Sequence, residues 1–169
     1  RFTTYRYPIQ GPSDKNQLRA NGFYYSTEEH DAFFLTPSGL IKMVPFRIPL
    51  KASKVDSSGV LEDIIGWSRF TGKNYWGEYR INNDSIQLQW FNYHQTEVCK
   101  RSVFDDRGIV LNDTTFVITS RIAYWFDDTA TTGQFVYRFY RTDFKPDDSR
   151  IWFEKKRWYL NGRDKSRVR

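Results

Sequence analysis

Apolar and polar residues alternate in two segments around a short loop, and this pattern predicts a β-hairpin. The segment "WGEYRINNDSIQLQWFN" covers residues 76–92, with "NNDS" at 82–85 as the turn. One face then carries only apolar side chains, or a large ring over Gly77, whereas Arg80 and Gln87 lie on the other face. A slip of one residue would move the whole apolar set into water, so the register is well specified. The predicted inward residues are Tyr79, Ile81, Ile86, Leu88 and Trp90.

The same rule predicts three further turns in the second half of the chain. They are "DDRG" at 105–108, a tight "ND" turn at 112–113 and a loop through "DDTATTG" at 127–133. Successive hairpins that choose their faces by one rule form a β-meander. The predicted facing pairs are Phe104–Ile109, Ile109–Phe116, Phe126–Phe135, Tyr124–Tyr137 and Ile122–Phe139.

The first half of the chain predicts three more strands and one short helix. Residues 21–26, 31–36 and 39–46 have strand-like composition, and "PSG" at 37–39 is a tight turn. The helix is predicted over 57–70, where apolar residues follow a serine pair. Turn-forming clusters recur at the spacing typical of all-β proteins, which gives about eight to ten strands in total.

An antiparallel meander with this many strands has to protect its edges. Closure into an up-and-down barrel removes the edges completely, and a two-sheet sandwich is the alternative architecture. The fold class predicted is therefore all-β, an antiparallel up-and-down barrel with one short helix. We expect residues 1–160 to form one barrel domain and residues 161–169 to be a basic C-terminal tail.

The positive net charge does not change this picture, because it is confined to one end of the chain. Residues 155–169 hold seven Lys and Arg and one Asp, which accounts for the whole net charge of +6. Such a tail is most often solvated, with binding to phosphates or an anionic surface as the alternative. The rest of the chain is neutral, and nucleic acid is not an expected partner.

The sequence resembles a known group of proteins in several ordered blocks. These blocks include "NGFYY", "FFLTPSGLI", "RGIVLNDTTFVI", the hairpin with Trp76, Gly77, Tyr79 and Ile81, and an end with Lys145, Pro146, Asp147, Asp148, Lys155, Lys156 and Trp158. Together they resemble uncharacterised lipocalin-like exported lipoproteins of Bacteroidetes bacteria. The resemblance implies a cell-envelope location, in the outer membrane, in the periplasm or at the cell surface. Membrane contact would then come only from a lipid anchor upstream of residue 1. Typical lipocalins carry a Trp two residues after the first glycine, where this chain has Tyr24 after Gly22.

The sequence offers little reactive chemistry. The two histidines, His30 and His94, lie in polar loop-like segments without ligand spacing, so neither a metal nor a cofactor is expected. "GWSRF" at 66–70 lacks the second glycine of a nucleophile elbow. Paired acidic residues such as Asp105 and Asp106 fall in predicted turns, where Asp bonds to local backbone. An enzyme acting at the barrel mouth is the least favoured function.

The aromatic inward face supports two interpretations. It predicts either a small-molecule pocket with a few polar groups or a core in which the rings fill a narrow barrel. The residues predicted to bind a small apolar or amphipathic ligand are Tyr79, Trp90, Tyr124, Phe126, Tyr137 and Phe139.

Outward-facing apolar residues suggest a second function. The predicted outer patch consists of Phe91, Trp125, Val136 and Tyr140. An exposed apolar patch is usually covered or used, and residues 150–160 could cover it with Ile151, Trp152, Phe153, Trp158 and Tyr159. The first hypothesis is thus a non-enzymatic envelope barrel that binds a small hydrophobic ligand. The alternative is an interaction module with a filled barrel whose outer patch docks an envelope protein partner.

Overall fold

Eight antiparallel strands form a closed barrel in the order of the chain. The computed structural model describes residues 18–45, 57–93, 101–124, 129–151 and 153–156. The elements are β1 (Gly22–Ser26), β2 (Asp31–Leu35), β3 (Leu40–Pro45), α1 (Ser57–Thr71), β4 (Trp76–Asn82), β5 (Ser85–Tyr93), β6 (Arg101–Asn112), β7 (Thr115–Tyr124) and β8 (Thr129–Arg141), followed by a 3-10 turn (Asp148–Arg150).

Pairing of the first strand with the last closes the barrel. Phe23 is opposite Tyr140 and Tyr24 is opposite Phe139 in this seam. The all-β, up-and-down barrel prediction is confirmed, and the architecture is consistent with a lipocalin-like fold. The helix predicted over 57–70 is present as α1.

The β4–β5 hairpin has the predicted register. Tyr79 pairs with Leu88, and Ile81 pairs with Ile86. Gly77 is required at its position because an added Cβ would lie 2.0 Å from the carbonyl oxygen of Gln89. The five predicted inward residues of this hairpin all belong to the buried barrel core.

The turn predicted at 105–108 is wrong, because β6 continues through it without a break. Asp105 pairs with Ile122 and Asp106 with Arg121 in the β6–β7 ladder. Asp105 and Asp106 are consecutive, so they lie on opposite faces of the strand: Asp106 points inward to Arg121, whereas Asp105 bonds to Gln87 and Arg107 on the other face. Ile109 therefore does not face Phe104, and its side chain lies on the outer surface at 49 % exposure.

The predicted pairs around Phe116 and Tyr137 are also wrong. Phe116 pairs with Val110 on one side and with Tyr137 on the other. The register with β6 shifts between Ile118 and Ser120, where β7 has one extra residue, a β-bulge. A bulge reverses the inward and outward alternation beyond it, so the predicted Tyr124–Tyr137 and Ile122–Phe139 pairs do not form. The Phe126–Phe135 pair lies partly outside the described residues, and Phe135 pairs with Ile118 instead.

The two ends of the barrel differ in their connections. At one end, called the closed end, residues 36–39, 83–84 and 113–114 make short turns. At the other end, called the mouth, residues 27–30 join β1 to β2, and β3, β5 and β7 end. Residues at the start of β2 and at the ends of β1, β5 and β7 therefore lie at the mouth.

Two smaller apolar clusters lie on the outer wall. The first packs beneath α1, where Ile64 is fully buried and Tyr140 stacks on Phe23 with ring centroids 5.5 Å apart. The second packs beneath Ile151 and Phe153, where the ring centroids of Phe153 and Phe91 are 5.2 Å apart.

The predicted cover of the outer patch is therefore confirmed in part. Ile151 and Phe153 cover the wall around Phe91. Tyr140 belongs to the cluster beneath α1, not to the one under the C-terminal segment. The residues Trp125, Trp152, Trp158 and Tyr159 lie outside the described ranges.

Candidate functional site: a charged layer below the barrel mouth

The closed half of the barrel interior is filled by aromatic and aliphatic side chains. Phe116 and Tyr137 stack with ring centroids 4.9 Å apart, and Tyr24 and Phe33 contact the same pair from β1 and β2. All four residues are fully buried. These four rings are thus in contact with one another and closed to solvent.

Two phenol hydroxyls form hydrogen bonds with the turns at the closed end. The hydroxyl of Tyr24 donates to the carbonyl oxygen of Asp113 at 2.9 Å. The hydroxyl of Tyr79 donates to the carbonyl oxygen of Thr36 at 2.8 Å. Because both acceptors lie in the short turns, the hydrogen bonds fix those turns across the end of the barrel.

Between this apolar core and the mouth lies a cluster of charged side chains, which we call the charged layer. Its centre is Arg121, whose Nε donates to Oδ1 of Asp106 at 2.7 Å and whose Nη2 donates to Oδ2 at 3.0 Å. The same guanidinium reaches Glu29 at 3.0 Å and Asp31 at 3.4 Å. One cation is thus shared by three carboxylates, which come from β6, β2 and the β1–β2 loop.

Two ring side chains connect the charged layer to the apolar core. The hydroxyl of Tyr137 donates to Oδ1 of Asp31 at 2.7 Å, and the indole Nε1 of Trp90 donates to Oδ2 of Asp106 at 3.0 Å. Trp90 also stacks on Phe104 with ring centroids 4.0 Å apart and an interplanar angle of 7°. The buried carboxylates therefore have several partners each, as groups removed from water require.

Burial determines the protonation of these groups. It raises the pKa of Asp31 to about 6, although the Arg121 charge and the Tyr137 hydrogen bond oppose the rise. Burial also raises the pKa of Asp106, again against the Arg121 charge. For Arg121, burial alone would lower the pKa, but the neighbouring Asp106 carboxylate outweighs it and raises the value, so the guanidinium stays charged. The layer can therefore take up one proton near pH 6, at Asp31.

Solvent reaches the charged layer. The side chain of Arg121 is 15 % exposed and that of Glu29 is 27 % exposed, whereas Asp106 is fully buried. Ser102 lies on the inward face of β6, nearer the mouth than Phe104. Its side chain is fully buried, and its hydroxyl has no hydrogen-bond partner among the described residues. An unsatisfied buried hydroxyl is costly, so a polar group of a ligand could bind to it.

The residues predicted to bind a ligand are divided among different environments. Trp90 and Tyr137 contact the charged layer. Tyr79 is buried against the closed end, and Phe139 packs against the interior cluster on that side, with Arg19 above its ring.

The prediction that Tyr124 lines the barrel interior is wrong, because Tyr124 packs in the outer cluster with Phe91 and Val103. The β7 bulge places it on the outside. Phe126 lies outside the described residues. The structure therefore brings together only part of the predicted set.

Sequence reasoning missed the charged residues, although one signal was available. Asp31, Phe33 and Leu35 occupy every second position of one strand and therefore share a face. The two apolar residues alone place the Asp31 carboxylate on the inward side. Asp106 was hidden by the turn assigned to 105–108. Arg121 was hidden by the bulge, because strict alternation from Ile118 puts it outside.

Two kinds of feature, a metal site and a membrane-spanning helix, are absent from the described part of the chain. Among these residues no group of His, Cys, Asp or Glu has the arrangement of a metal site. No helix within the described ranges combines the length and the apolar character that a membrane span demands.

Comparison with known proteins adds no assignment to these findings. No protein-family model, no curated protein and no solved structure matches this chain. The fold and the charged layer are therefore the basis of the ligand-binding proposal.

Proposed function

We propose that this protein is a non-enzymatic, lipocalin-like barrel that binds a small amphipathic ligand at its mouth. The observation that supports the proposal is the charged layer, which faces the mouth and is partly open to solvent. The ligand would lie above the layer, since the interior below it is filled with rings. This location replaces the deeper pocket that the sequence suggested.

The chemistry of the layer favours a ligand with a positively charged group. Arg121 is opposed by Glu29, Asp31 and Asp106, so the layer carries more negative than positive charge when these groups are ionised. A cation placed at Glu29 would gain Coulomb energy in a partly desolvated site. The half-buried ring of Phe104, which stacks on Trp90, would contact the apolar part of the ligand, and Ser102 would supply a hydroxyl.

The ligand class can be tested with three probes that share one alkyl chain. Octylamine, octanol and octanoate are titrated into the full chain labelled with 15N at the Trp indoles, and the Trp90 Nε1 signal is followed. Trp90→Phe identifies this signal. We expect octylamine to bind at least about tenfold more tightly than octanoate, because two or three carboxylates act on its charge.

A matched pair of charge-removing variants locates the interaction. Glu29→Gln should weaken octylamine binding by about threefold, as expected for a partly exposed ion pair. Glu62→Gln, on the exposed side of α1, should leave binding unchanged. Equal binding of octanoate and octylamine would overturn the proposed ligand class, and an unmoved Trp90 signal with all three probes would overturn the site.

We further propose a cell-envelope location, with export and a lipid anchor upstream of residue 1. This proposal rests on the resemblance to exported lipoproteins of Bacteroidetes bacteria. The test is fractionation of cells that express the protein naturally, in which it should sediment with envelope membranes and be released by detergent. Recovery in the cytosolic fraction would contradict it.

The alternative function, docking of an envelope protein on the outer aromatic patch, has less support among the described residues. Phe91 is covered by Phe153, and Tyr140 stacks on Phe23 beneath α1. These rings serve the packing of the chain itself. The Tyr140→Ser variant should consequently lower thermal stability, whereas an exposed docking residue could be replaced without that loss.

A further inference from the structure

A cavity of about 350 Å³ lies outside the barrel, between the end of α1 and the segment that follows β8. Its volume is within the range of small-molecule sites. The wall residues that matter here are Lys42, Arg69, Trp76, Phe144, Lys145 and Asp147. This cavity is separate from the mouth, because Lys42 and Trp76 point to the outer side of their strands.

The cavity carries an excess of positive charge. Its wall contains three basic side chains and one carboxylate. The carboxylate, Asp147, already accepts hydrogen bonds from the backbone N–H and the hydroxyl of Ser149, at 3.1 and 2.6 Å. Asp147 is thus used to start the 3-10 turn. The basic side chains therefore set the character of the cavity.

The three cations have different roles. Lys42 is buried, and its Nζ donates to the carbonyl oxygens of Gly72 and Asn74, which fixes the chain after α1. Arg69 and Lys145 are exposed at the rim, and neither forms an ion pair with a described residue. Two rim cations are thus available to an anion, next to a third that is held in place.

Two aromatic rings line the cavity, a half-buried Phe144 at its side and Trp76, 1 % exposed, at its floor. The centroid of the Trp76 ring lies 5.5 Å from Lys42 Nζ, and the centroid of the Phe144 ring lies 5.7 Å from Arg69 Cζ. Each ring is thus paired with a cation. A flat apolar body that carries a negative group could use both kinds of contact at once.

From this arrangement we infer that the cavity is a second binding site, for a small planar organic anion. The anionic group lies between Arg69 and Lys145, and the planar body lies against Phe144, above the buried Trp76. The inference does not depend on the ligand proposed for the barrel mouth.

The probe is indole-3-carboxylate, compared with its uncharged amide and with inorganic phosphate. Each is titrated into the full chain labelled with 15N at the Trp indoles. The Trp76 Nε1 group, which donates to the carbonyl oxygen of Gly72 at 3.2 Å, reports binding, and Trp90 is the internal reference. The carboxylate should move the Trp76 signal at lower concentration than the amide or phosphate and leave Trp90 unmoved.

The double variant Arg69→Gln, Lys145→Gln should weaken carboxylate binding by about tenfold, as expected for two partly exposed charge contacts. The matched control is Lys155→Gln, Lys156→Gln, which removes two exposed cations away from the cavity and should bind as the wild type does. Equal affinity for the amide, or an unchanged affinity in the cavity variant, would overturn the anion site. If phosphate bound as tightly as indole-3-carboxylate, the inference that the ligand has a planar body would be wrong.

Discussion

The two ends of this barrel solve the same packing problem differently. At the closed end, phenol hydroxyls bond to turn carbonyls and the rings behind them exclude water. Below the mouth, a guanidinium and three carboxylates occupy the interior instead. Filling a narrow barrel needs only apolar side chains, so the charged layer is unnecessary for closure. Enclosed charges are often no more stabilising than apolar side chains of similar volume, and their confinement to one half is the reason why we place the proposed ligand site there.

The largest expected effect comes from the closed half. Phe116→Ala removes a ring that stacks on Tyr137 and contacts Tyr24 and Phe33. It should lower the free energy of unfolding by about 4 kcal/mol, because the surrounding strands cannot collapse into the cavity. Urea denaturation measures the loss. Phe70→Ala, at an 82 % exposed site on α1, is the control and should change stability by less than about 0.5 kcal/mol. Similar losses in both variants would mean that the closed half is not the rigid core.

Arg121→Met tests the mouth half. It should lower the free energy of unfolding by about 3 kcal/mol at pH 7, because Asp31 and Asp106 lose their shared cation. Loss of Arg121 removes a charge that lowers both carboxyl pKa values. The folded variant then binds protons more readily, so its deficit relative to the wild type should shrink as the pH falls.

Denaturation at pH 7 and pH 5 measures that change. Arg138→Met, on the exposed face of β8, is the matched control and should stay close to the wild type at both pH values. A deficit in Arg121→Met that is the same at both pH values would show that the loss comes from packing and not from the carboxylates.

The same contrast explains how far the sequence could be interpreted. The β4–β5 hairpin was predictable residue by residue because its alternation is regular and its turn is short. From these pairs and the turn spacing, barrel closure followed. The interior of β6 and β7 was not predictable, since one bulge near Thr119 reverses the alternation. Bulges leave no periodic signal in a single sequence, so Arg121 could be found only from the fold.

Asp31→Asn gives a smaller, pH-dependent effect at the mouth. Burial raises the pKa of Asp31 to about 6 in the folded protein, above the usual value of an unfolded chain. The stabilisation from protonating this group is complete below the unfolded pKa and is lost as the pH rises through about 6. From pH 7 to pH 5 the wild type should therefore gain about 1 kcal/mol more than the variant.

Chemical denaturation across this pH range measures the difference between the wild type and Asp31→Asn. Asp113→Asn, which changes an exposed carboxylate at the closed end, is the control and should follow the wild type. Parallel curves for the wild type and Asp31→Asn would mean that Asp31 is fully ionised well below pH 6.

The smallest effect belongs to the ion pair at the closed end. Arg19 and Asp113 are joined at 2.8 Å, but their side chains are 53 % and 54 % exposed. Water already solvates both charges, so Arg19→Met should cost less than about 1 kcal/mol at any pH between 5 and 7. Comparison with Arg121→Met under the same conditions separates the two ends, since one ion pair is exposed and the other is enclosed. If Arg19→Met proved as costly as Arg121→Met, enclosure within the barrel would not be what makes the mouth cluster important.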